Sequence, residues 1–121
     1  MSTVAEASAA LLAALGTVDG VRPYSDASSK LDPPCTLLGP PQLDWTTYNP
    51  DGDPNTATFI VLAVVPVGDR AVEQLWELVP RVVAAVTTNP DAVVSRATPT
   101  ALAANGSADL PAYQIFVEMS L

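Results

Sequence analysis

The sequence predicts an α+β protein: a mainly antiparallel sheet of four to five strands with two helices. Three observations predict this class. Residues 59–67, FIVLAVVPV, form a long apolar run with the composition of a strand, and residues 112–121 alternate apolar and polar side chains. Two other segments repeat apolar residues at helical spacing. With 121 residues, the chain is expected to form a single domain over residues 1–121.

One predicted helix opens the chain and the other follows the long apolar run. Thr3 and Glu6 have the spacing of a capping box, which predicts a helix over Val4–Leu15. Asp69 is expected to cap the second helix. Pro80 lies inside that helix and predicts a kink or break, because proline removes a helical hydrogen bond. The apolar positions of the second helix are Val72, Leu75, Trp76, Val79, Val82, Val83 and Val86.

Five segments are predicted to be strands, and the predicted order of elements is α-β-β-β-α-β-β. The strands cover residues 21–24, 35–38, 56–67, 92–98 and 112–121, and residues 42–45 also have extended character. In the segment 92–98, alternation places Val94, Arg96 and Thr98 on one side. Residues 99–109 predict a loop, because they contain an Asn-Gly turn signal.

The long strand is predicted to be apolar on both faces, because alternate side chains of a strand point in opposite directions. One face would carry Phe59, Val61, Ala63, Val65 and Val67, and the other Ile60, Leu62 and Val64. A strand of this kind needs cover on both faces. If both helices pack on one face, a neighbouring subunit is the simplest cover for the other. If the helices lie on opposite faces, the strand is covered within its own domain.

Charge and composition argue against several classes of function. Hydrophobic residues make up 49% of the chain, which favours a folded domain over a disordered segment. The net charge is −8, and the five basic residues are scattered, whereas nucleic-acid binding needs clustered cations. An acidic surface also repels anionic lipids. No signal peptide or bilayer-spanning run is recognised, so a cytoplasm-like compartment is expected.

Catalytic and metal-binding patterns are not found in the sequence. Without histidine and with a single cysteine, Cys35, we expect no zinc, copper or haem site, no disulfide, and a buried thiol. Nucleophilic triads and phosphate-binding loops are also missing. Asp51-Gly52-Asp53 resembles a calcium loop only in composition. The chain is therefore predicted not to be an enzyme and to need no cofactor or metal.

Residues 46–55, TTYNPDGDPN, are predicted to be a long acidic turn, which we call the acidic loop. Trp45 and Tyr48 border or belong to it. Each aromatic side chain could be an interface anchor or the base of a hairpin. Asp51 and Asp53 lie at the tip of the loop.

Short motifs along nearly the whole chain resemble those of one protein family. After the capped Ala/Leu-rich helix come GVRPY at 20–24, Pro-Pro at 33–34, Gly-Pro-Pro at 39–41, GDRAVEQL at 68–75 and Tyr-x-x-x-x-Glu at 113–118. Their order and spacing resemble the tail terminator proteins of long-tailed actinobacterial phages, and more loosely the wider family of tail terminator and tail-to-head joining proteins.

This resemblance implies a structural protein of the virion, located at the head-proximal end of the tail and in the host cytoplasm during assembly. Family members form a hexameric ring on the last ring of the tail tube, stop its polymerisation and join the tail to the head. The implied partners are further copies of the chain, the tail tube protein and a head-closure or neck protein. Genomic DNA would pass through the pore without specific binding, and no membrane is involved.

The residues predicted to form subunit or ring interfaces come from the acidic loop and from the long strand. They are Trp45, Tyr48, Asp51, Asp53, Ile60, Leu62 and Val64. Two alternatives remain open. The chain could be another neck or head-completion component of a phage, or a small non-viral domain that holds an apolar ligand on its two-faced sheet. A ring argues against the ligand-binding alternative, and an enclosed pocket in a monomer favours it.

Overall fold

A computed structural model of the chain describes residues 3–25, 32–46, 50–102 and 109–121. The described elements are α1 (Val4–Leu15), β1 (Arg22–Tyr24), β2 (Cys35–Leu38), β3 (Gln42–Asp44), β4 (Thr56–Val64), α2 (Ala71–Val86), β5 (Ala92–Leu102) and β6 (Leu110–Ser120). The predicted α+β class is confirmed. The described part of the sheet has six strands, one more than the upper end of the prediction.

The six strands form one sheet in the order β1-β2-β4-β6-β5, and β3 also pairs with β4. All pairs are antiparallel except β1 with β2. β2 and β3 follow one another along the same edge of β4. The interruption lies at Gly39, whose N–H still donates to the carbonyl of Ile60 at 3.2 Å, and at the two prolines that follow, which have no N–H to donate.

Both helices pack on the same face of the sheet. The buried core between helices and sheet contains Ala7, Leu11 and Leu15 of α1, Leu75, Leu78, Val82 and Val86 of α2, and Phe59, Val61, Ile115 and Val117 of the central strands. The capping box of α1 forms as predicted: the Glu6 N–H donates to Thr3 Oγ1 at 3.1 Å. The central strand is therefore not enclosed between two helices.

The second helix differs from the prediction at its start and at its proline. α2 begins after Arg70, not after Asp69, and Arg70 makes no side-chain cap hydrogen bond. Its Nε instead donates to Glu73 Oε2 at 3.0 Å. The prediction was a kink or a break, and the break does not occur, because the helix continues through Pro80. Pro80 is exposed, and the buried face of the helix is continuous on both sides of it, so packing offsets the lost hydrogen bond.

The strand β5 corrects two predictions. Its pairing with β6 shifts register between Val94 and Arg96, where a β-bulge opposes two residues to one. Val94 therefore packs against the core, whereas Arg96 and Thr98 lie on the opposite face. The strand also continues to Leu102, through residues predicted to be a loop. Pro99 is tolerated because β5 is an edge strand of the described sheet, where one side of the backbone has no strand partner.

Thr36 provides a test of the packing between sheet and helices. Its side chain is fully buried, and its Oγ1 has no hydrogen-bond partner among the residues that the structure describes. Because a buried hydroxyl without a partner costs free energy, Thr36→Val is expected to raise the free energy of unfolding by about 1 kcal/mol. Urea denaturation measures the change. The matched control is Thr58→Val, at a half-buried position, which should change stability less. A loss of stability in Thr36→Val would show that its hydroxyl is satisfied.

Candidate functional site

The face of the sheet opposite the helices is the main candidate for function, and we call it the open face. It carries the alternate side chains of the strands that do not enter the core, among them Ile60 and Leu62 of β4, Phe116 of β6 and Arg96 of β5. In the described ranges, no helix packs on it. Ile60, Leu62 and Phe116 are each half-buried. Within the described ranges, the open face thus carries apolar side chains that no helix covers.

Not all of the predicted interface residues of β4 have solvent-exposed side chains. Ile60 and Leu62 lie on the open face as their alternation predicted. Val64 lies on the same face but is 0% exposed, in a small cluster with Cys35 and Ala112. Its side chain is therefore not accessible to a partner, in contrast to the prediction. Partly buried side chains pack against this cluster, namely Tyr24, Leu62, Leu102 and Leu110.

Arg96 is a functional candidate that sequence reasoning missed. Its guanidinium carbon lies 4.5 Å from the centre of the Phe116 ring, a cation–π arrangement on the open face. The residue is exposed, and it forms no ion pair with any carboxylate in the described ranges. Plain alternation along the strand could not separate Arg96 from Val94, because the bulge between them is a feature of pairing rather than of composition.

The acidic loop is closed at its base by two hydrogen bonds of Asn55, one from its backbone and one to its side chain. The Asn55 N–H donates to the Asp44 carbonyl at 2.9 Å, and the Thr46 N–H donates to Asn55 Oδ1 at 2.9 Å. These bonds extend the β3–β4 pairing by one step into the loop. Tyr48, a predicted interface residue, lies outside the described residues.

Trp45 is fixed against the tip of the acidic loop. Its indole N–H donates to the carbonyl of Gly52 at 2.9 Å, and the side chain remains 55% exposed. Gly52 has a φ of +79°, a left-handed conformation that favours glycine. Asp51 and Asp53 flank this glycine and are exposed. The hydrogen bond to Gly52 thus holds the Trp45 ring close to the part of the loop that carries the Asp51 and Asp53 carboxylates.

A second exposed apolar feature lies on α2. Val72 and Trp76 were predicted from helical spacing to belong to the buried stripe, but they are exposed, Trp76 by 63%. The two residues are one turn apart on the outer side of the helix. The Trp76 indole N–H donates to the Tyr113 hydroxyl at 3.2 Å. The buried side of the helix instead includes Leu75, Leu78 and Val82, so Val72 and Trp76 lie outside it.

A surface cleft of about 330 Å³ lies on the helix side of the molecule. It is lined by the turn after α1, by Pro34 and Pro66, and by polar side chains of α2. Arg81 Nη2 donates to the Asp19 carbonyl at 2.6 Å, which ties α2 to this turn. Among the described residues, no group of acidic or cysteine side chains could hold a metal ion. The residues that line the cleft do not include Ile60, Leu62, Arg96 or Phe116 of the open face.

The buried thiol of Cys35 has low reactivity as a nucleophile. Burial, and secondarily the negative charge of Asp32, raise its pKa to about 11. The thiolate is the reactive form of cysteine, so this side chain is a poor nucleophile at neutral pH. Its burial agrees with the sequence-based expectation.

The search of known sequences provides no assignment, since the chain matches no protein-family model and no curated protein. No helix in the described ranges is long and apolar enough to cross a membrane.

The raised pKa of Cys35 predicts slow reaction with a thiol reagent at pH 8. Only about one thiol in a thousand is ionised three pH units below its pKa, and the side chain is buried. Denaturation should speed the reaction many-fold. The control is Val93→Cys in a Cys35→Ala background, because Val93 is exposed and a thiol there should react fast in the folded protein. Equal rates for Cys35 in native and denatured protein would contradict its burial.

The same pKa sets the direction of a pH effect on stability. The folded chain holds the Cys35 proton more tightly than the unfolded chain does, so this contribution to stability is complete below about pH 9. It is lost as the pH rises from about 9 towards 11. Urea denaturation of the native chain and of Cys35→Ala across this range measures the difference. A stability difference that does not change with pH would show that the thiol pKa is not raised.

Proposed function

We propose that this protein is a tail terminator of a long-tailed phage. In this proposal the chain forms a hexameric ring on the last ring of the tail tube, stops tube polymerisation and provides the surface to which the head-closure complex binds. The order and spacing of the sequence motifs support it. The structural observation that carries it is the packing of both helices on one face of the sheet, which leaves the open face without a helix in the described ranges.

A ring subunit needs lateral surfaces that another subunit covers. The open face offers such a surface, because Ile60, Leu62 and Phe116 form an apolar strip across its two central strands. Contiguous apolar surface on a soluble domain is a common mark of a protein interface. The proposed partners are therefore further copies of the chain at the sides of the ring, the tail tube protein on one end and a neck protein on the other.

The proposed role is mechanical and needs no catalytic residue, cofactor or metal. Tube subunits stack through a heterologous contact, which continues until something covers the growing end. A ring with one surface matched to the tube and another matched to the head converts that end into a joint. The net charge of −8 suits a pore through which DNA passes without binding.

The alternative of a small ligand-binding domain receives less support. That hypothesis places an apolar ligand on the two-faced sheet, whereas the described cleft of about 330 Å³ lies on the helix side and has polar residues of α2 in its wall. Small-molecule sites are concave and bury most of the ligand, and the residues that line the described cleft do not include Ile60, Leu62 or Phe116 of the open face.

Removal of the protein from a phage that encodes it tests the proposal. Without a terminator, tubes should still form but with uncontrolled lengths, and they should not join to heads. Electron microscopy of lysates gives the length distribution, and expression of the intact chain in trans should restore normal length. Tails of normal length joined to heads would remove the terminator proposal. Tails of normal length that remain separate from heads would identify a different neck component.

A further inference from the structure

We infer that the acidic loop of one copy binds the open face of a neighbouring copy, with Trp45 on the apolar strip and Asp51 and Asp53 at Arg96. This contact would be the lateral joint of the ring, so the inference rests on the proposed function for its setting. The contact itself involves only two copies of this chain, and it can be measured without any phage component.

The receiving surface is a single row across three strands. Ile60 pairs with Phe116, and Phe116 pairs with Arg96, so these side chains stand side by side on the open face. Strands are about 4.8 Å apart, and the row therefore spans about 10 Å. Stacking holds the Arg96 guanidinium over the ring of Phe116, in the middle of the row. The row thus offers an apolar side chain at Ile60 beside one positioned cation.

The inserting unit, Trp45 with Asp51 and Asp53, has chemistry that matches the row. The hydrogen bond from Trp45 to Gly52 keeps the indole beside the two carboxylates of the loop tip. Tryptophan is one of the residue types that most often anchor protein interfaces. A guanidinium held over an aromatic ring remains able to bind a carboxylate through its edge. The indole on Ile60 and a carboxylate on the Arg96 guanidinium would then bind neighbouring parts of the row together.

Charge complementarity identifies a second copy as the occupant. The chain has 13 acidic and 5 basic residues, so two copies repel each other unless acidic segments meet the few cations. Two of the basic residues, Arg22 and Arg70, already form ion pairs with Asp32 and Glu73. Arg96 forms none with a described carboxylate, including those of its own acidic loop. A neighbouring copy can supply the carboxylates that this copy does not.

The acidic residue Glu118 restricts the direction of approach. It lies on the open face, two residues beyond Phe116 on β6, and would repel the carboxylates of the loop. On the other side of Phe116, the open face carries the uncharged Gln114 and Thr98, which pair with each other. The loop should therefore reach Arg96 from the Gln114 side. Because the loop and the row are different surfaces, the contact is heterologous and can propagate around a ring.

Charge-swap variants of the full chain test this contact. Sedimentation equilibrium at low salt measures self-association of the native chain, of Arg96→Glu and of the double variant Asp51→Arg/Asp53→Arg. Each should associate about tenfold more weakly or worse, since coupled interface charges contribute at least that much. The chain carrying all three substitutions should regain association, because the charge pairing is restored with reversed sign.

Matched controls separate this contact from general effects of charge. Arg70→Glu makes the same charge change at an exposed arginine on the helix side, and it should leave association unchanged. Trp76→Ala is the control for Trp45→Ala, since both indoles are exposed. Trp45→Ala should weaken association, and Trp76→Ala should not. Arg96→Gln, which removes the charge without reversing it, replaces Arg96→Glu if the latter does not fold by circular dichroism.

Two results would overturn the inference. One is a native chain that stays monomeric at its highest soluble concentration. The other is association that none of the Arg96 or loop substitutions alters. Either result leaves the phage experiment free to support the terminator proposal. Conversely, restored association in the charge-swapped chain supports the inference even if phages that lack the protein make tails of normal length.

Discussion

The one-sided packing of the two helices is the constraint on which the rest of the structure depends. β4 is apolar on both faces, and β6 pairs with it along its whole length. The helices bury one face in a continuous core that includes Phe59 and Val61. A helix covers a sheet by burying its apolar stripe. Both helices bury their stripes on this face, so neither can cover the other face. The opposite face then keeps Ile60 and Leu62 half-buried, with no helix of the described ranges over them.

Local signals predicted those elements that local interactions determine. The bounds of α1 follow from the capping box at Thr3 and from Gly16 after its last turn, and the predicted strand at 35–38 forms with those bounds. Features that depend on pairing or packing were not predictable in this way. The continuous α2 survives Pro80 because the buried face of that helix packs on the sheet. The bulge in β5 changes the face of the sheet on which the following side chains lie, and only the register of β5 with β6 reveals it.

The candidate site was predictable in part for the same reason. Alternation placed Ile60 and Leu62 on the same face of the strand. It could not show which face the helices cover, or that Val64 is enclosed by Cys35 and Ala112. Arg96 has no local signature in the sequence, and its position over Phe116 arises from the bulge. The sequence identified the acidic loop by its turn residues. The bond that holds Trp45 against Gly52 joins residues whose spacing follows no helix or strand period.

The central claim is that another copy of the chain covers the open face in the assembled particle. Cryo-electron microscopy of the head-proximal end of the tail tests it most directly, because it gives both the number of copies and the surroundings of Ile60 and Leu62. The account predicts a closed ring in which each open face is covered by the neighbouring copy. A ring whose open faces remain exposed to solvent, or a tail end that lacks this protein, would contradict it.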